Sequence, residues 1–271
     1  MKETTITALF IATALAMTGC NTMPDNRHPI EILFSPFNGP TPREAAIDAV
    51  STYDADRRAR GIATLAQADF GGEDPYVKLY RETIKIDPDA TVRTAAVKAL
   101  GMHGDVQDAL LFIEVLKDEQ ASVRWEAARA LQKIHNPVVT RPLSEVLKND
   151  EDENVRIAAA YALGQYAQPG VFDSLVAALD DDSYGVVRIS QQSLSTLTGQ
   201  ALGDDPQRWF SWSEKNQGNL FVGRKQYVWH DYQVPPTWSS RMIFWKRNDY
   251  TEDSARLPKG IEPPSEPTRI Q

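Results

Sequence analysis

The chain has 271 residues, of which 42% are hydrophobic and 24% charged, and its formal net charge at pH 7 is −8. These values are typical of an ordinary, mildly acidic globular protein, and the negative balance argues against a nucleic-acid partner. After residue 20 no segment approaches the roughly 20 consecutive apolar residues that cross a bilayer. We therefore expect no membrane-spanning helix in the body of the protein.

The N-terminus predicts export. Residues 6–17, "ITALFIATALAM", form an apolar run of signal-peptide length, and the small residues Thr18 and Gly19 follow it directly before Cys20. The box "MTGC" resembles the processing site of bacterial lipoproteins, and Cys20 is the single cysteine of the chain. The resemblance implies a signal peptide over residues 1–19 and a lipid on Cys20. A cleaved secretory peptide and an uncleaved anchor are the alternatives.

The residue after the cysteine bears on the membrane. Asn21, rather than an aspartate, follows Cys20, and in the Gram-negative lipoproteins that this signal resembles such a residue favours the outer membrane. Residues 20–41 contain prolines 24, 29, 36 and 40, which forbid a continuous helix. We predict that this segment is a tether.

From residue 42 the sequence repeats itself. A recurring "VR" motif is followed by small residues and a leucine, and successive copies are 31, 32 and 32 residues apart. The copies are "VRTAAVKALG" from Val92, "VRWEAARALQ" from Val123, "VRIAAAYALG" from Val155 and "VRISQQSLST" from Val187, with a degenerate "RRARGIATLA" from Arg57. The spacing within each copy traces one apolar stripe of a helix, and a second amphipathic helix precedes it. Five helix pairs over 42–199 are predicted, with Pro142 near the first turn or at a kink of its helix.

A fixed offset links an aspartate to each arginine. An aspartate stands six residues before each arginine, which places a carboxylate in the turn between the paired helices. The predicted pairs are Asp87 with Arg93, Asp118 with Arg124, Asp150 with Arg156 and Asp182 with Arg188. Stacked units would let one arginine bridge its own aspartate and the next one. We interpret this ladder as structural.

The ladder and the "VR..AA.ALG" helix resemble HEAT repeats of the short phycobilisome-lyase-like type. The resemblance covers residues 42–199 and implies an all-α solenoid, an α/α superhelix of the armadillo and HEAT class. In such solenoids the helices that carry the arginines face the concave side. Residues one and five beyond each arginine would then form an exposed strip there, namely Thr94, Lys98, Trp125, Arg129, Ile157, Tyr161, Ile189 and Ser193. Aromatic residues and arginine at its centre favour a protein- or peptide-binding groove, while packing of Trp125 between units is the alternative.

The pattern stops after Leu197, and the composition changes. The segment 200–250 contains five of the six tryptophans, and between residues 208 and 247 seven basic residues face two acidic ones. One interpretation is a cap over the last repeat, in which Trp209 and Trp212 lie on one helix face after an N-terminal Asp204 or Asp205. The other is a surface for anionic lipid headgroups or a glycan, whose candidate residues are Arg224, Lys225, Trp229, Trp238, Arg241, Trp245, Lys246 and Arg247. The polar, proline-rich residues 251–271 are predicted to be a disordered tail.

Nothing in the sequence predicts catalysis, a metal site or a cofactor. Four histidines, at 28, 103, 135 and 230, lack the spacing of a zinc site, and the chain contains no His-Glu dipeptide of the kind that HEAT-like metal oxygenases repeat. His103 and His135 occupy nearly equivalent positions in adjacent repeats, where lining a turn is the simpler role. We predict a non-catalytic, membrane-anchored scaffold with a protein or peptide partner. A bilin lyase or metal oxygenase, and a glycan- or lipid-binding module, are the alternatives.

Overall fold

A computed structural model describes residues 41–230 and 255–261, and all of these except Thr41 fall in one compact unit, Pro42–Gln271. Within the described residues the protein is mostly helical. The α-helices are α1 Pro42–Ala49, α2 Ala55–Gln67, α3 Asp74–Ile86, α4 Ala90–His103, α5 Ala109–Val115, α6 Ala121–Leu131, α7 Thr140–Asn149, α8 Glu153–Leu163, α9 Pro169–Ala177, α10 Tyr184–Thr198 and α11 Pro206–Lys215. Short 3₁₀ turns cover Val106–Asp108, Pro137–Val139 and Ala178–Asp180. Two short strands, β1 Trp229–His230 and β2 Ala255–Arg256, complete the described structure.

The first ten helices form five antiparallel pairs, which confirms the predicted all-α solenoid. The second helix of each pair carries the repeated arginine, and we call α2, α4, α6, α8 and α10 the ladder helices. Each ladder helix packs against the next one along the chain. Side-chain caps begin several of them: Asp89 accepts the N–H groups of Thr91 and Val92, and Asp152 caps α8 in the same way. Pro142 lies in the first turn of α7, as predicted.

Small residues allow the ladder helices to approach each other closely. Ala96, Ala127 and Ala159 are completely buried. At Gly101 of α4 an added Cβ would lie 3.0 Å from the Cβ of Ala130 in α6. The alanine-rich stripe is therefore required by the helix spacing, since larger side chains would push neighbouring repeats apart.

The ladder joins each repeat to the following one. Arg124 donates from Nε and Nη2 to both carboxylate oxygens of Asp150 at 2.8 Å, while its Nη1 donates to the backbone carbonyl of Asp118 at 2.9 Å. Arg93 bridges Asp87 O and Asp118 by the same three bonds. Each arginine therefore contacts its own turn through a carbonyl and the next turn through a bidentate ion pair. The predicted ion pair of each arginine with the aspartate of its own turn was wrong, because that carboxylate pairs with the arginine of the preceding repeat, as Asp87 does with Arg58.

One ladder member predicted from the sequence was wrong. Arg156 pairs with Asp181 at 2.9 Å, and Asp182 is exposed. Each ladder aspartate accepts the N–H of the residue two positions later, which in this turn is Ser183, the residue that precedes α10. Arg188 lies one residue deeper in its helix than the other arginines, so counting six back from it reaches Asp182. Arg188 is exposed and forms no ion pair with the described residues, because no further repeat supplies an aspartate.

The helix α11 closes the last repeat. Asp205 caps its N-terminus by accepting the N–H of Gln207. Trp209 is completely buried, and its ring and that of Trp212 each lie 6.3 Å from the ring of Phe172 in α9. The indole N–H of Trp209 donates to Gly203 O at 2.8 Å. The cap interpretation of these two tryptophans agrees with this packing.

A second correction concerns the segment 251–271, which was predicted to be disordered. Residues 255–261 are ordered against the repeats, with Arg256 paired to Trp229 across an antiparallel ladder. Lys259 forms a parallel bridge with Ile134: its N–H donates to Lys133 O, and its carbonyl accepts from His135 N–H, both at 2.8 Å. Its ammonium group also donates to the carbonyls of Met102 and Gly104 at the end of α4. Backbone pairing supplies this order, and composition alone does not reveal it.

The remaining N-terminal and C-terminal predictions lie outside the described residues. These are the signal peptide, the lipidation site Cys20, the tether, and the surface candidates Trp238, Arg241, Trp245, Lys246 and Arg247. Within residues 41–230 and 255–261, no helix combines the length and the apolar character needed to cross a membrane.

Candidate partner-binding groove

Five predicted strip residues line one shallow groove on the ladder helices. Trp125 and Arg129 come from α6, Ile157 and Tyr161 from α8, and Ile189 from α10. Together they surround a depression of about 330 Å³. The spacing of four residues within a helix and of one repeat between helices therefore places these side chains on one face, as the sequence predicted.

The other strip residues lie elsewhere. Thr94 bonds to Ala90 O at 2.8 Å and reaches Ser122 at 3.5 Å, and Lys98 is exposed on α4 beside the groove. Ser193, predicted to be exposed, is buried and donates to Ala160 O at 2.9 Å. Because Arg188 lies one residue deeper in α10 than the other arginines in their helices, Ser193 takes the place of a buried alanine of the repeat pattern, where α8 and α10 meet. The exposed strip therefore does not include Ser193.

Three groove residues were not predicted. Gln132 and Ala158 lie on the groove floor, where the Gln132 side chain donates to Ala158 O at 3.2 Å. His230 comes from β1, more than forty residues beyond Ile189, and forms part of the rim. Repeat periodicity identifies only residues inside the repeats, so it carries no signal for His230.

The centre of the groove combines an aromatic ring with a basic side chain. Trp125 is 36% exposed, and the guanidinium carbon of Arg129 lies 4.8 Å from its ring centre. Beneath them Glu126 is only 4% exposed and accepts a 3.0 Å hydrogen bond from Arg129. Burial raises the pKa of Glu126, against the opposing effect of Arg129, Lys133 and Lys98. The groove thus presents the Arg129 guanidinium, with the exposed Lys98 beside it, and both favour negative charge on a partner.

The C-terminal segment forms one wall beside the groove. Tyr161 donates from its hydroxyl to Val228 O at 3.0 Å, and its ring lies 5.6 Å from that of Tyr227. Burial raises the pKa of Tyr161. Tyr161 was predicted to bind a partner protein. It therefore also fixes the segment that follows the cap against α8.

The surface candidates of the C-terminal segment divide into two groups. Arg224 and Lys225 are exposed, as predicted. Trp229 is 8% exposed, so its assignment to a surface was wrong. The Lys133 ammonium lies 4.9 Å and the Arg256 guanidinium 5.7 Å from the centre of its ring. The strand β2 pairs with the strand that contains Trp229 and covers it. Cation–π packing accounts for an indole between two basic residues.

The two repeat histidines bind neighbouring groups of the protein. His103 Nε2 lies 2.7 Å from Ala66 O, and His135 Nδ1 lies 3.2 Å from the side-chain oxygen of Gln165. His135 also stacks on Tyr166, with ring centres 4.8 Å apart. Among the described residues no group of three or more His, Cys, Asp or Glu side chains is arranged to hold a metal ion.

Comparison with known proteins agrees with this architecture. Residues 109–195 match the family model for HEAT repeats. These residues run from α5 into α10 and contain three of the ladder arginines.

Two solved structures are similar to the chain. The Escherichia coli protein YibA superposes with a TM-score of 0.52 at 21% identity, over 71% of this chain and 72% of YibA. A structure of the CpcE and CpcF complex of phycocyanin lyase from a Nostoc species aligns over 66% of this chain and 81% of that one, at 17% identity and a TM-score of 0.37. No curated protein sequence matches the chain. The similarity to YibA supports the fold and carries no information about activity.

Proposed function

We propose that this protein is a non-catalytic scaffold of the cell envelope that binds a protein partner through the groove around Trp125. The observation that carries the proposal is the convergence of Trp125, Arg129 and Tyr161, from two successive repeats, on one exposed depression. Such residue types dominate the binding energy of protein interfaces. HEAT repeats present their partners with one continuous face, because each repeat contacts only its neighbours.

The charge of the groove specifies the chemistry of the partner. Arg129 lines the groove, and Lys98 is exposed beside it. None of the described residues that line the groove is acidic, although the whole chain carries a charge of −8. We therefore propose that the partner contributes an acidic segment with a bulky apolar side chain, which packs on the exposed part of Trp125.

The anchor is the second part of the proposal. The N-terminal signal supports a lipid on Cys20 and a location at the outer membrane of a Gram-negative cell. The tether of residues 20–41 would then carry the solenoid away from the membrane surface.

A pair of opposite charges at one position tests the groove. Ile157 is partly buried in the groove wall, and Ile157→Glu and Ile157→Lys disturb its packing about equally. With an acidic partner, recovery from solubilised envelope should fall at least tenfold for Ile157→Glu and clearly less for Ile157→Lys. Equal recovery for both variants at equal thermal stability contradicts the charge argument.

Trp125→Ala provides the complementary test, and Phe210→Ala is its matched control. Phe210 is 44% exposed on α11, outside the groove. We expect Trp125→Ala alone to reduce partner recovery, by roughly tenfold or more, as is typical of an interface hot spot. Identical partner recovery for both alanine variants would contradict the assignment of the groove as the partner-binding surface.

A further inference from the structure

A larger cavity of about 580 Å³ lies where the last repeats meet the C-terminal segment, and it shares no lining residue with the groove. Its floor comes from the loop after α8, and its walls come from residues 224–227 and from the ordered part of the tail. The volume is within the range of pockets that bind small molecules, about 300–1,000 Å³. The cavity has two chemically distinct sides.

The apolar side is formed by three aliphatic residues from distant parts of the chain. They are Leu197 at the end of α10, and Leu257 and Ile261 of the returning tail. Pro258, between the two tail residues, is buried, and the Lys259 bridge to Ile134 fixes this segment against the repeats. The tail is therefore a built wall of the cavity.

The polar side carries two basic residues. Arg224 and Lys225 are exposed at the cavity, and neither forms an ion pair with a described residue. None of the described residues that line the cavity is acidic, in a chain where acidic residues outnumber basic ones by 37 to 29. Two adjacent cations beside an apolar wall favour an anionic group on an apolar body.

Two further polar groups are available to a ligand. Gln165 donates from Nε2 to Leu131 O at 3.0 Å, so its carbonyl oxygen faces His135 Nδ1, which carries the proton. In neutral His135 this leaves Nε2 as the acceptor, and Nε2 has no partner among the described residues. Tyr227 also lines the cavity, and its buried hydroxyl lacks a hydrogen-bond partner within the described part of the chain. An unpaired buried hydroxyl is uncommon, and a ligand oxygen would satisfy it.

We propose that this cavity binds an amphipathic organic carboxylate, with its anionic group on Arg224 and Lys225 and its apolar part against Leu197, Leu257 and Ile261. The cavity and the groove around Trp125 share no lining residue, although Tyr227 of the cavity is in ring contact with Tyr161 of the groove. Occupancy of the cavity and the binding of a protein partner can therefore be tested independently.

The test uses decanoate as the probe, titrated calorimetrically into the full chain, with decanol as a neutral probe of the same chain length. Decanoate should bind at one site per chain and at least tenfold more tightly than decanol, since hydrogen bonds to a charged group are stronger than those to a neutral one. Equal affinities for the two probes would overturn the proposal. So would association with phosphatidylglycerol vesicles without any binding of free decanoate, which would indicate a membrane surface.

Variants locate the binding. Arg224→Gln with Lys225→Gln should weaken decanoate binding about tenfold or more. Arg60→Gln with Lys215→Gln changes the net charge equally at exposed positions that do not line the cavity, and should leave binding unchanged. Ala167→Phe places a ring in the cavity and should reduce binding while Arg224 and Lys225 remain. Equal affinity in the two charge variants, with thermal unfolding unaltered, contradicts the assignment.

Discussion

The ladder predicts a large loss of stability from a single middle rung. In Arg124→Ala the protein loses two bonds to the Asp150 carboxylate, at 2.8 Å each, and two to the carbonyls of Asp118 and Glu119. The side chain of Asp150 is only 6% exposed and that of Arg124 only 16%, so solvent replaces little of this interaction. Removing one partner of a buried pair costs about 3–5 kcal/mol. Because Asp150 keeps a hydrogen bond from the Asp152 N–H, we expect about 2–4 kcal/mol.

The assay is urea unfolding at pH 7, followed by far-UV circular dichroism, with unchanged m values as the check that the unfolding reaction is the same. The exposed Arg188 gives the matched control, and Arg188→Ala should change the free energy of unfolding by no more than about 0.5 kcal/mol. The pair Asp181→Ala and Asp182→Ala tests the corrected rung in the same way, and only the first should destabilise. A loss for Arg124→Ala as small as that for Arg188→Ala would refute the reasoning.

Four further predictions concern other parts of the chain. Trp209→Ala should destabilise the cap by about 3–5 kcal/mol. The control Phe210→Ala changes an exposed side chain and should cost about 0.5 kcal/mol or less. Equal urea midpoints for the two variants would contradict the cap assignment. Burial raises the pKa of Glu126, so its ionisation weakens the folded state as pH rises above about 4. Glu126→Gln should therefore gain stability relative to the natural protein between pH 4 and 7. A difference in the free energy of unfolding that stays constant over this pH range would contradict the prediction. Lys259→Met should accelerate hydrogen exchange of the amide that pairs with the Lys259 carbonyl about tenfold, whereas unchanged protection would mean that the ammonium group does not hold the tail. Radioactive palmitate should label the natural chain and not Cys20→Ser, and an unlabelled natural chain would exclude the lipid anchor.

The acid sensitivity of the ladder follows from the same ion pairs. Burial is the largest single influence on the pKa of Asp118 and of Asp181 and raises it, but the hydrogen bonds from Arg93 and Arg156, those from the backbone N–H groups of Gln120 and Ser183, and the arginine charges together outweigh it, so the net pKa of both carboxyl groups is lowered. A lowered pKa in the folded state contributes stability above the unfolded value, about 3.9, which is lost as pH falls through the folded value. Below pH 4 the free energy of unfolding should therefore decrease.

Periodicity predicts the fold because the same residue types recur at the packing positions of each repeat. The recurring valine, alanine and leucine positions determine the ladder helices, and the arginine at a constant offset predicts the link between repeats. The prediction of the ladder aspartate fails where the spacing to the arginine is one residue longer, as it is between Asp181 and Arg188. The hydrogen bond from Ser183 N–H to Asp181 shows that Asp181 is the ladder residue of this turn.

The candidate site is partly predictable for the same reason. Trp125 and Tyr161 follow from helical spacing, whereas His230 reaches the groove only because residues beyond the cap return to the ladder helices. The cavity beside Arg224 depends on the pairing of Lys259 with Ile134, a contact that links residues 125 positions apart. Composition marks residues 251–271 as polar and proline-rich but carries no signal for such long-range pairing.

Site-specific photo-crosslinking tests the proposed groove most directly. Trp125 and Phe210 are similarly exposed, at 36% and 44%, and each can be replaced by p-benzoylphenylalanine in the full chain. The scaffold proposal predicts that irradiation of intact cells gives a defined protein adduct from position 125 and none of the same mass from position 210. The crosslinked peptide of the partner should be acidic. Adducts of equal yield and mass from both positions, or none from position 125, would contradict the assignment of the groove as the partner-binding surface.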